Sequence, residues 1–193
     1  MLSTKPIVDV LVVAQQFTPE ELKFLSHTLN HPNGFGKIAR FEVRSHPKEN
    51  YFPTVLDTAR FRIVVVGKFS SDQIQHVYPL EHNIQNMSFT FMNTTPPMIV
   101  FNKMNWHGPP PRYKVSLKAK RPGMSSRAIL HRYRTYLVNH EFGHAMGLGH
   151  ERNTLDNCPV MFQHTRGVGN CANDTVWPSK RNLRDALAVI TKL

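Results

Sequence analysis

The sequence predicts an α+β fold, in which short strands and helices follow one another along one domain. Pro6 to Ala14 and Phe61 to Gly67 are rich in Val, Ile and Leu, and their length and composition are typical of buried strands. A longer segment that begins at Ser125 or Ser126 has apolar residues at helical spacing. The chain has 193 residues, of which 40% are hydrophobic. This length suffices for one domain with its own core but is short for two.

Five strands are predicted. Phe61 to Gly67 is the strand most typical of a sheet interior, because Ile63 to Val66 are consecutive β-branched residues. Thr94 to Pro97 is predicted to be a turn between the last two strands. The other four strands are predicted at Pro6 to Ala14, Ala39 to Ser45, Met87 to Met92 and Met98 to Asn102.

Four helices are predicted, mainly from their start signals. Thr18 can cap the first helix, Pro19 occupies its first position, and the helix should end near His31. The proline-rich segment Trp106 to Pro111 cannot pair fully in a sheet, so it is predicted to be an exposed segment or an edge. The other helices are predicted from Ser70 to Tyr78, from Ser125 or Ser126 into residues 139–151, and from Ser179 onward.

Residues 139–151 contain the main candidate functional residues. They read Asn-His-Glu-Phe-Gly-His-Ala-Met-Gly-Leu-Gly-His-Glu. His140 and His144 are four residues apart, so on a helix their imidazoles project from one face and can bind one metal ion. Gly147 can end the helix with backbone angles that other residues avoid, which lets His150 return as a third ligand. Three neutral imidazoles with an open fourth position are typical of a catalytic site with one zinc ion. Glu141 is then placed to act on a water molecule at the metal.

The formal net charge is +11, and it is unevenly distributed. No Asp or Glu occurs between His82 and His140, and most of the excess positive charge lies in residues 103–134, called the basic span below. The basic span is expected either to attract acidic substrates, an acidic partner or nucleic acid, or to be a solvated face. Its basic residues are Lys103, Arg112, Lys114, Lys118, Lys120, Arg121, Arg127, Arg132 and Arg134.

The two cysteines, Cys158 and Cys171, leave the redox environment open. They can close a short loop with a disulfide worth about 3 kcal/mol, or remain free thiols in a reducing cytosol. No apolar run has the length of a transmembrane span, and residues 1–16 lack the features of a signal peptide. The chain is therefore expected to stay inside a cell or a particle, or to have been secreted with its signal already removed.

The pattern His140-Glu141-x-x-His144-x-x-Gly147-x-x-His150, followed by Met161 in Cys-Pro-Val-Met, resembles the metzincin clan of zinc metallopeptidases. In metzincins a tight turn with a methionine lies beneath the metal, and Met161 matches that methionine. Further segments are similar to an uncharacterised family of metzincin-like domains found mainly in actinobacteria, and this likeness extends from about residue 5. These segments are Tyr136-Leu-Val-Asn-His-Glu, Pro159-Val-Met-Phe-Gln, Cys171, Trp177-Pro178 and Val100-Phe-Asn.

The resemblance implies one catalytic domain over residues 1–193, with an upper part of about 1–149 and a short lower part of about 150–193. It implies a mixed twisted sheet, a long active-site helix, a methionine turn and a C-terminal helix. The implied activity is that of a zinc endopeptidase acting on peptides or proteins, with Glu141 as general base and Gly147 and Met161 in supporting roles. An edge strand just upstream of the active-site helix should bind the substrate backbone, and Met98 to Trp106 is the segment expected there.

Three residues near that segment, Asn105, Trp106 and His107, are candidates for substrate binding, although ordinary packing explains them equally well. His164, just after the expected turn, is predicted to be a surface residue rather than a polar group near the metal. Glu151 follows the third histidine, as in astacins, but Gln163 stands where astacins carry a metal-binding tyrosine, so no fifth ligand is expected.

A competing hypothesis belongs to another functional class. The chain would then be a catalytically weak or inactive zinc-binding module, whose basic face docks nucleic acid or an acidic partner. The intact Glu141 counts against this hypothesis, because a pure binding module has no use for a general base. No cysteine precedes the motif in these residues, so the thiol latch that silences some metzincins is not expected.

Overall fold

The computed structural model describes residues 5–13, 16–46, 61–70, 87–92, 94–168 and 171–192. Its centre is a five-stranded mixed sheet with the order β2-β1-β3-β5-β4, which confirms the predicted mixture of strands and helices. β2, β1, β3 and β5 are parallel, whereas β4 at the edge runs antiparallel to β5. The strands are β1 (Ile7–Val13), β2 (Arg40–His46), β3 (Phe61–Phe69), β4 (Phe89–Phe91) and β5 (Met98–Asn102).

Five described α-helices accompany this sheet. They are α1 (Pro19–Leu29), α2 (Lys103–His107), α3 (Pro111–Lys120), α4 (Ser126–Ala145) and α5 (Lys180–Ile190). α1 and α4 contact each other, and α1 packs against β2 while α4 packs against β4 and β5. The predicted helix Ser70 to Tyr78 lies outside the described residues beyond Ser70. Among the described helices, none is both long enough and apolar enough to cross a membrane.

The first helix begins as predicted. The Thr18 hydroxyl accepts a hydrogen bond from the Glu21 backbone N–H at 3.2 Å, and the Glu21 carboxylate accepts one from the Thr18 N–H at 2.9 Å. This reciprocal pair satisfies two backbone donors that a helix start would otherwise leave unpaired. The same carboxylate accepts hydrogen bonds from Lys68 Nζ and Trp106 Nε1, each at 2.6 Å, and so joins α1 to β3 and α2 in the interior.

The prediction of an exposed or edge segment from Trp106 to Pro111 is wrong. Trp106 belongs to α2, is 0% exposed and packs edge-on against Phe17 with ring centroids 5.5 Å apart. Pro111 is the first residue of α3, a position where the missing N–H costs nothing and the fixed φ angle suits a helix. The prolines therefore mark a helix start.

The segment after α4 contains a disulfide and a small sheet, and a buried acid joins it to the preceding part of the chain. Cys158 and Cys171 form a disulfide with Cα atoms 5.7 Å apart, and β6 (Asn157–Cys158) pairs in parallel with β7 (Asn173–Asp174). Buried Asp174 accepts hydrogen bonds from Arg132 at 2.7 Å and Arg121 at 3.0 Å. Part of the basic span thus neutralises an interior acid.

Candidate metal centre

Helix α4 delivers two of the candidate ligands. Ser125 caps it, since its hydroxyl accepts a hydrogen bond from the Ala128 N–H at 3.2 Å. After Ala145 the helix ends and Gly147 adopts φ +82°, in the left-handed region that favours glycine. The Leu148 N–H donates to the Gly143 carbonyl at 2.9 Å, which closes the turn and directs the chain back toward the helix.

Three histidines converge at this turn, as the spacing predicts. One ring nitrogen from each of His140, His144 and His150 lies within 4.8 Å of the other two. The two helical histidines approach each other most closely, with their Nε2 atoms 3.2 Å apart. A tetrahedral zinc ion with Zn–N distances of about 2.0–2.1 Å separates its ligand nitrogens by about 3.3 Å, so the separation of these two nitrogens fits zinc.

The protonation pattern of the helical histidines also fits a metal. Nδ1 of His140 lies 2.8 Å from the Val160 carbonyl, and Nδ1 of His144 lies 2.7 Å from the Leu148 carbonyl. Because a carbonyl can only accept, each Nδ1 carries the proton and each Nε2 presents a lone pair. Burial lowers the pKa of both imidazoles, and that of His140 well below its usual range, which keeps them neutral. Two facing lone pairs repel each other unless a cation lies between them.

Glu141 lies beside the ligands and is 4% exposed. The hydroxyl of Thr90 lies 2.7 Å from Glu141 Oε2 and 3.0 Å from the Glu141 backbone carbonyl. Burial raises the pKa of the Glu141 carboxyl to about 7, although the hydrogen bond from Thr90 acts in the opposite direction. A carboxyl with this pKa can accept and return a proton near neutrality.

A cavity of about 350 Å³ opens in front of these groups. One wall is formed by the helical residues His140, Glu141 and His144, and the opposite wall by residues of and around β4, including Thr90 and Met92. Gln163 and Thr165 also line the cavity, together with His150. They follow Pro159 to Phe162, which contains Met161 and is called the methionine segment below. Thr90 was missed in the sequence because a threonine in a predicted strand gives no sign of which helix its hydroxyl will face.

The substrate-binding candidates lie elsewhere, which corrects the sequence interpretation. β5 lies between β3 and β4, so the edge strand beside the cavity is β4, not Met98 to Trp106. Asn105 and Trp106 are buried against other parts of the core, and His107 is exposed. None of the three is among the described residues that line the cavity.

Met161 lies under the helix between the first two ligands. It is fully buried, and a Cβ atom added to Gly143 would lie only 2.5 Å from its sulfur. The segment that carries it turns tightly, because the Phe162 N–H donates to the Pro159 carbonyl at 3.0 Å. The same segment supplies the Val160 carbonyl that orients His140.

His164 is not at the surface, contrary to the prediction. It is 0% exposed, stacks on Tyr136 with ring centroids 4.3 Å apart, and has Nε2 2.9 Å from the Pro159 carbonyl. Burial lowers the pKa of its imidazole to about 4, so the ring is neutral at physiological pH. Its contacts make it a support of the methionine segment.

Comparisons with known proteins do not assign the chemistry of this site. A family described as a protein of unknown function (DUF3152) matches residues 117–187, which contain the three histidines, Glu141 and Met161. Among solved structures, the chain is similar to a zinc-dependent peptidase from Methanocorpusculum labreanum (strain Z). The identity is 8%, the TM-score is 0.47, and the match covers 93% of this chain and 99% of that chain. No curated protein sequence matches the chain. Because the structural likeness is weak, the function has to be inferred from the geometry of the site.

Proposed function

We propose that this chain is a zinc-dependent endopeptidase of the metzincin type, with Glu141 as its general base. The observation that carries the proposal is the convergence of three imidazoles beside a buried carboxylate at an open cavity. A structural zinc site is closed by four protein ligands, whereas three histidines converge among the described residues and all three line the cavity. His140, His144 and His150 would hold the ion.

The bound zinc ion would supply Lewis acidity, which lowers the pKa of water toward about 7 and polarises a peptide carbonyl. Glu141 takes a proton from the attacking water and returns it to the nitrogen of the leaving amine. Its pKa of about 7 suits both steps, because the group is neither a strong acid nor a strong base at neutral pH.

Two further features support the metzincin assignment. Met161 lies in a tight turn beneath the ligands, as the methionine of a metzincin turn would. β4 lies at the edge of the described sheet and lines the cavity, so its backbone can pair with an extended peptide. An extended peptide bound in this way would cross the cavity in front of Glu141, and both ends of the peptide could continue beyond it, as an endopeptidase requires.

The decisive experiment compares metal content and proteolysis in the wild type and in Glu141→Gln. We expect both proteins to bind one zinc ion, and only the wild type to cleave a denatured protein mixture. The products should include internal cuts, which mass spectrometry identifies. Retained cleavage by Glu141→Gln would refute the role of the carboxylate, and a zinc-loaded wild type that cleaves no peptide would refute the peptidase.

The binding-module hypothesis retains one supporting observation. Four of the nine basic-span residues face interior partners, but the remaining five are exposed, and none forms an ion pair with a described residue. These five exposed residues are Lys103, Arg112, Lys114, Lys118 and Arg127. A cationic surface of this kind attracts anionic partners through interactions that weaken as salt increases.

The test of that hypothesis is a gel shift with nucleic acid and a pull-down with acidic peptides, each at rising salt. Lys114→Glu/Lys118→Glu should abolish binding, whereas Lys180→Glu/Lys192→Glu, which changes exposed lysines outside the span, should not. Salt-sensitive binding without proteolysis would replace the peptidase proposal. Equal behaviour of the two double variants would identify the basic span as a solvated face.

The disulfide between Cys158 and Cys171 bears on the compartment in which the protein resides. A bond between Cys158 and Cys171 persists in oxidising compartments and is reduced in most cytosols. Among the locations expected from the sequence, it favours an oxidising one. Thiol titration of protein purified from its native source without reductant tests this, and two free thiols would contradict it.

A further inference from the structure

The hydroxyl of Thr90 is the polar group of β4 that reaches Glu141. It lies 2.7 Å from Oε2 of that side chain and 3.0 Å from the backbone carbonyl of the same residue. These contacts join the cavity wall formed by the edge strand to the wall formed by α4. Thr90 also lines the cavity, so it is close to any substrate bound there.

We propose that Thr90 is a positioning residue for the general base: its hydroxyl holds the Glu141 carboxylate in the orientation that proton transfer requires. The proposal rests on the proposed peptidase function, since it assigns Glu141 the role of the base. Thr90 lies outside the histidine motif, in β4, about fifty residues before Glu141 in the chain.

The geometry of a carboxylate explains why one such contact matters. Oε2 is engaged by the hydroxyl, which leaves Oε1 as the oxygen that takes the proton of the attacking water. A glutamate side chain has three rotatable bonds, and a buried hydrogen bond restricts them before substrate arrives. Threonine suits this task because its β-branched side chain is stiff about χ1.

β4 itself makes the arrangement sensitive to substrate. The strand has three residues, Phe89–Phe91, and β5 is its pairing partner among the described strands. A peptide that pairs with this strand would fix its position, and with it the hydroxyl that orients Glu141. The strand therefore links backbone recognition to the position of the base.

Two simpler roles compete with positioning. In the first, Thr90 only fills space between strand and helix, so its shape matters and its hydroxyl does not. In the second, Thr90 contacts substrate directly, so its loss weakens substrate binding. Replacement of Thr90 distinguishes both roles from positioning. Valine keeps the shape of threonine without the hydroxyl, and serine keeps the hydroxyl without the methyl group.

The test compares Thr90→Val, Thr90→Ser and the control Thr94→Val. Thr94 lies in the turn after β4 and bonds the Phe91 carbonyl at 2.9 Å, but it is not among the described cavity residues. We expect Thr90→Val to lower kcat roughly 10- to 100-fold with KM within about twofold of the wild type. Thr90→Ser and Thr94→Val should stay within about threefold of the wild type in both constants.

A second measurement does not depend on turnover. Acetohydroxamic acid chelates zinc through its two oxygens, and its hydroxyl proton can pass to a carboxylate beside the metal. Its affinity for the zinc-loaded proteins, measured by calorimetry, should fall roughly fivefold in Thr90→Val, as it does when one hydrogen bond is lost. Glu141→Gln should show a similar loss, and Thr90→Ser little change.

The outcomes separate the proposals. Unchanged kcat and hydroxamate affinity in Thr90→Val, or equal losses in the Val and Ser variants, would overturn the positioning role. A raised KM at constant kcat would assign Thr90 to substrate contact instead. If the wild type cleaves no peptide, the peptidase proposal fails, and the hydroxamate affinities still decide whether Thr90 orients Glu141.

Discussion

The two walls of the cavity are specified in different ways. On the helix wall, His140, Glu141 and His144 belong to one continuous segment, so local helical geometry places them on a common face. On the edge-strand wall, Thr90 comes from a three-residue strand whose position depends on pairing with β5. In the proposed function, the helix wall would hold the metal ion, and the edge-strand wall would position the base and the substrate beside it. Changes to the helix wall should therefore affect zinc, and changes to the edge-strand wall should affect turnover and substrate binding.

The largest effect is expected from His144→Ala on the helix wall. Its loss removes one of three ligands, whereas loss of a hydrogen-bond partner behind a ligand already costs about 10- to 100-fold in metal affinity. We expect zinc content near zero after dialysis and no proteolysis. His131→Ala, an exposed histidine on the same helix, is the matched control and should retain zinc. Full zinc content in His144→Ala, measured by mass spectrometry, would disprove its role as a ligand.

The close packing of Met161 against α4 should leave no room for a side chain at Gly143. A methyl group at Gly143 would lie 2.5 Å from Met161 Sδ, so Gly143→Ala must displace either the methionine segment or the helix. We expect a loss of about 1–3 kcal/mol in the free energy of unfolding, together with weaker zinc binding. Denaturant unfolding and zinc titration measure the two effects.

Gly149→Ala provides the matched comparison, because a Cβ atom there meets nothing within 4 Å. It should change the free energy of unfolding by less than about 0.5 kcal/mol. If Gly143→Ala is equally mild, the close packing of Met161 against the helix is not a constraint on this site.

Protonation of His164 should lower the free energy of unfolding of the protein at acid pH. Its folded-state pKa of about 4 lies below the ordinary value of 6.5, so the unfolded chain binds the proton more tightly. The stability that this neutral ring provides is fully present above about pH 6.5 and is lost as the pH falls toward 4. Between pH 7.5 and pH 5 the loss from this group is about 2 kcal/mol.

The measurement is the difference between wild type and His164→Phe in zinc-free denaturant unfolding at the two pH values. Phenylalanine can stack on Tyr136 but does not titrate, so the wild type should lose about 2 kcal/mol more than the variant on acidification. His140 and His144 titrate in both proteins and cancel in the difference. Parallel pH profiles would show that His164 is not held neutral in the folded protein.

The sequence predicted the helix wall almost completely, for a physical reason. The spacing of the two helical histidines, the cap at Ser125 and the glycine after the helix are local features, and local geometry converts them directly into positions. The strands were also identified to within a few residues, because runs of β-branched residues mark sheet interiors.

The rest depended on contacts between distant segments, which no short pattern records. Sheet order decided that β4 lies at the edge of the described sheet and β5 inside it. Trp106 follows a strand and precedes three prolines, yet its burial is determined by Phe17 and Glu21, far away in sequence. His164 likewise gave no sign that Tyr136 would cover it.

The smallest effect is expected on the edge-strand wall, from Met92→Ala. Met92 lines the cavity and is about half exposed, so its truncation removes apolar contact area from any bound peptide without touching the ligands. Loss of about 1 kcal/mol of such contact should lower kcat/KM roughly fivefold, mainly through KM, while zinc affinity stays unchanged. Met104→Ala, an exposed methionine that is not among the described cavity residues, should behave as wild type. A drop in zinc content of Met92→Ala would show that the two walls are not separable, since a change on the strand would then reach the metal through Thr90 and Glu141.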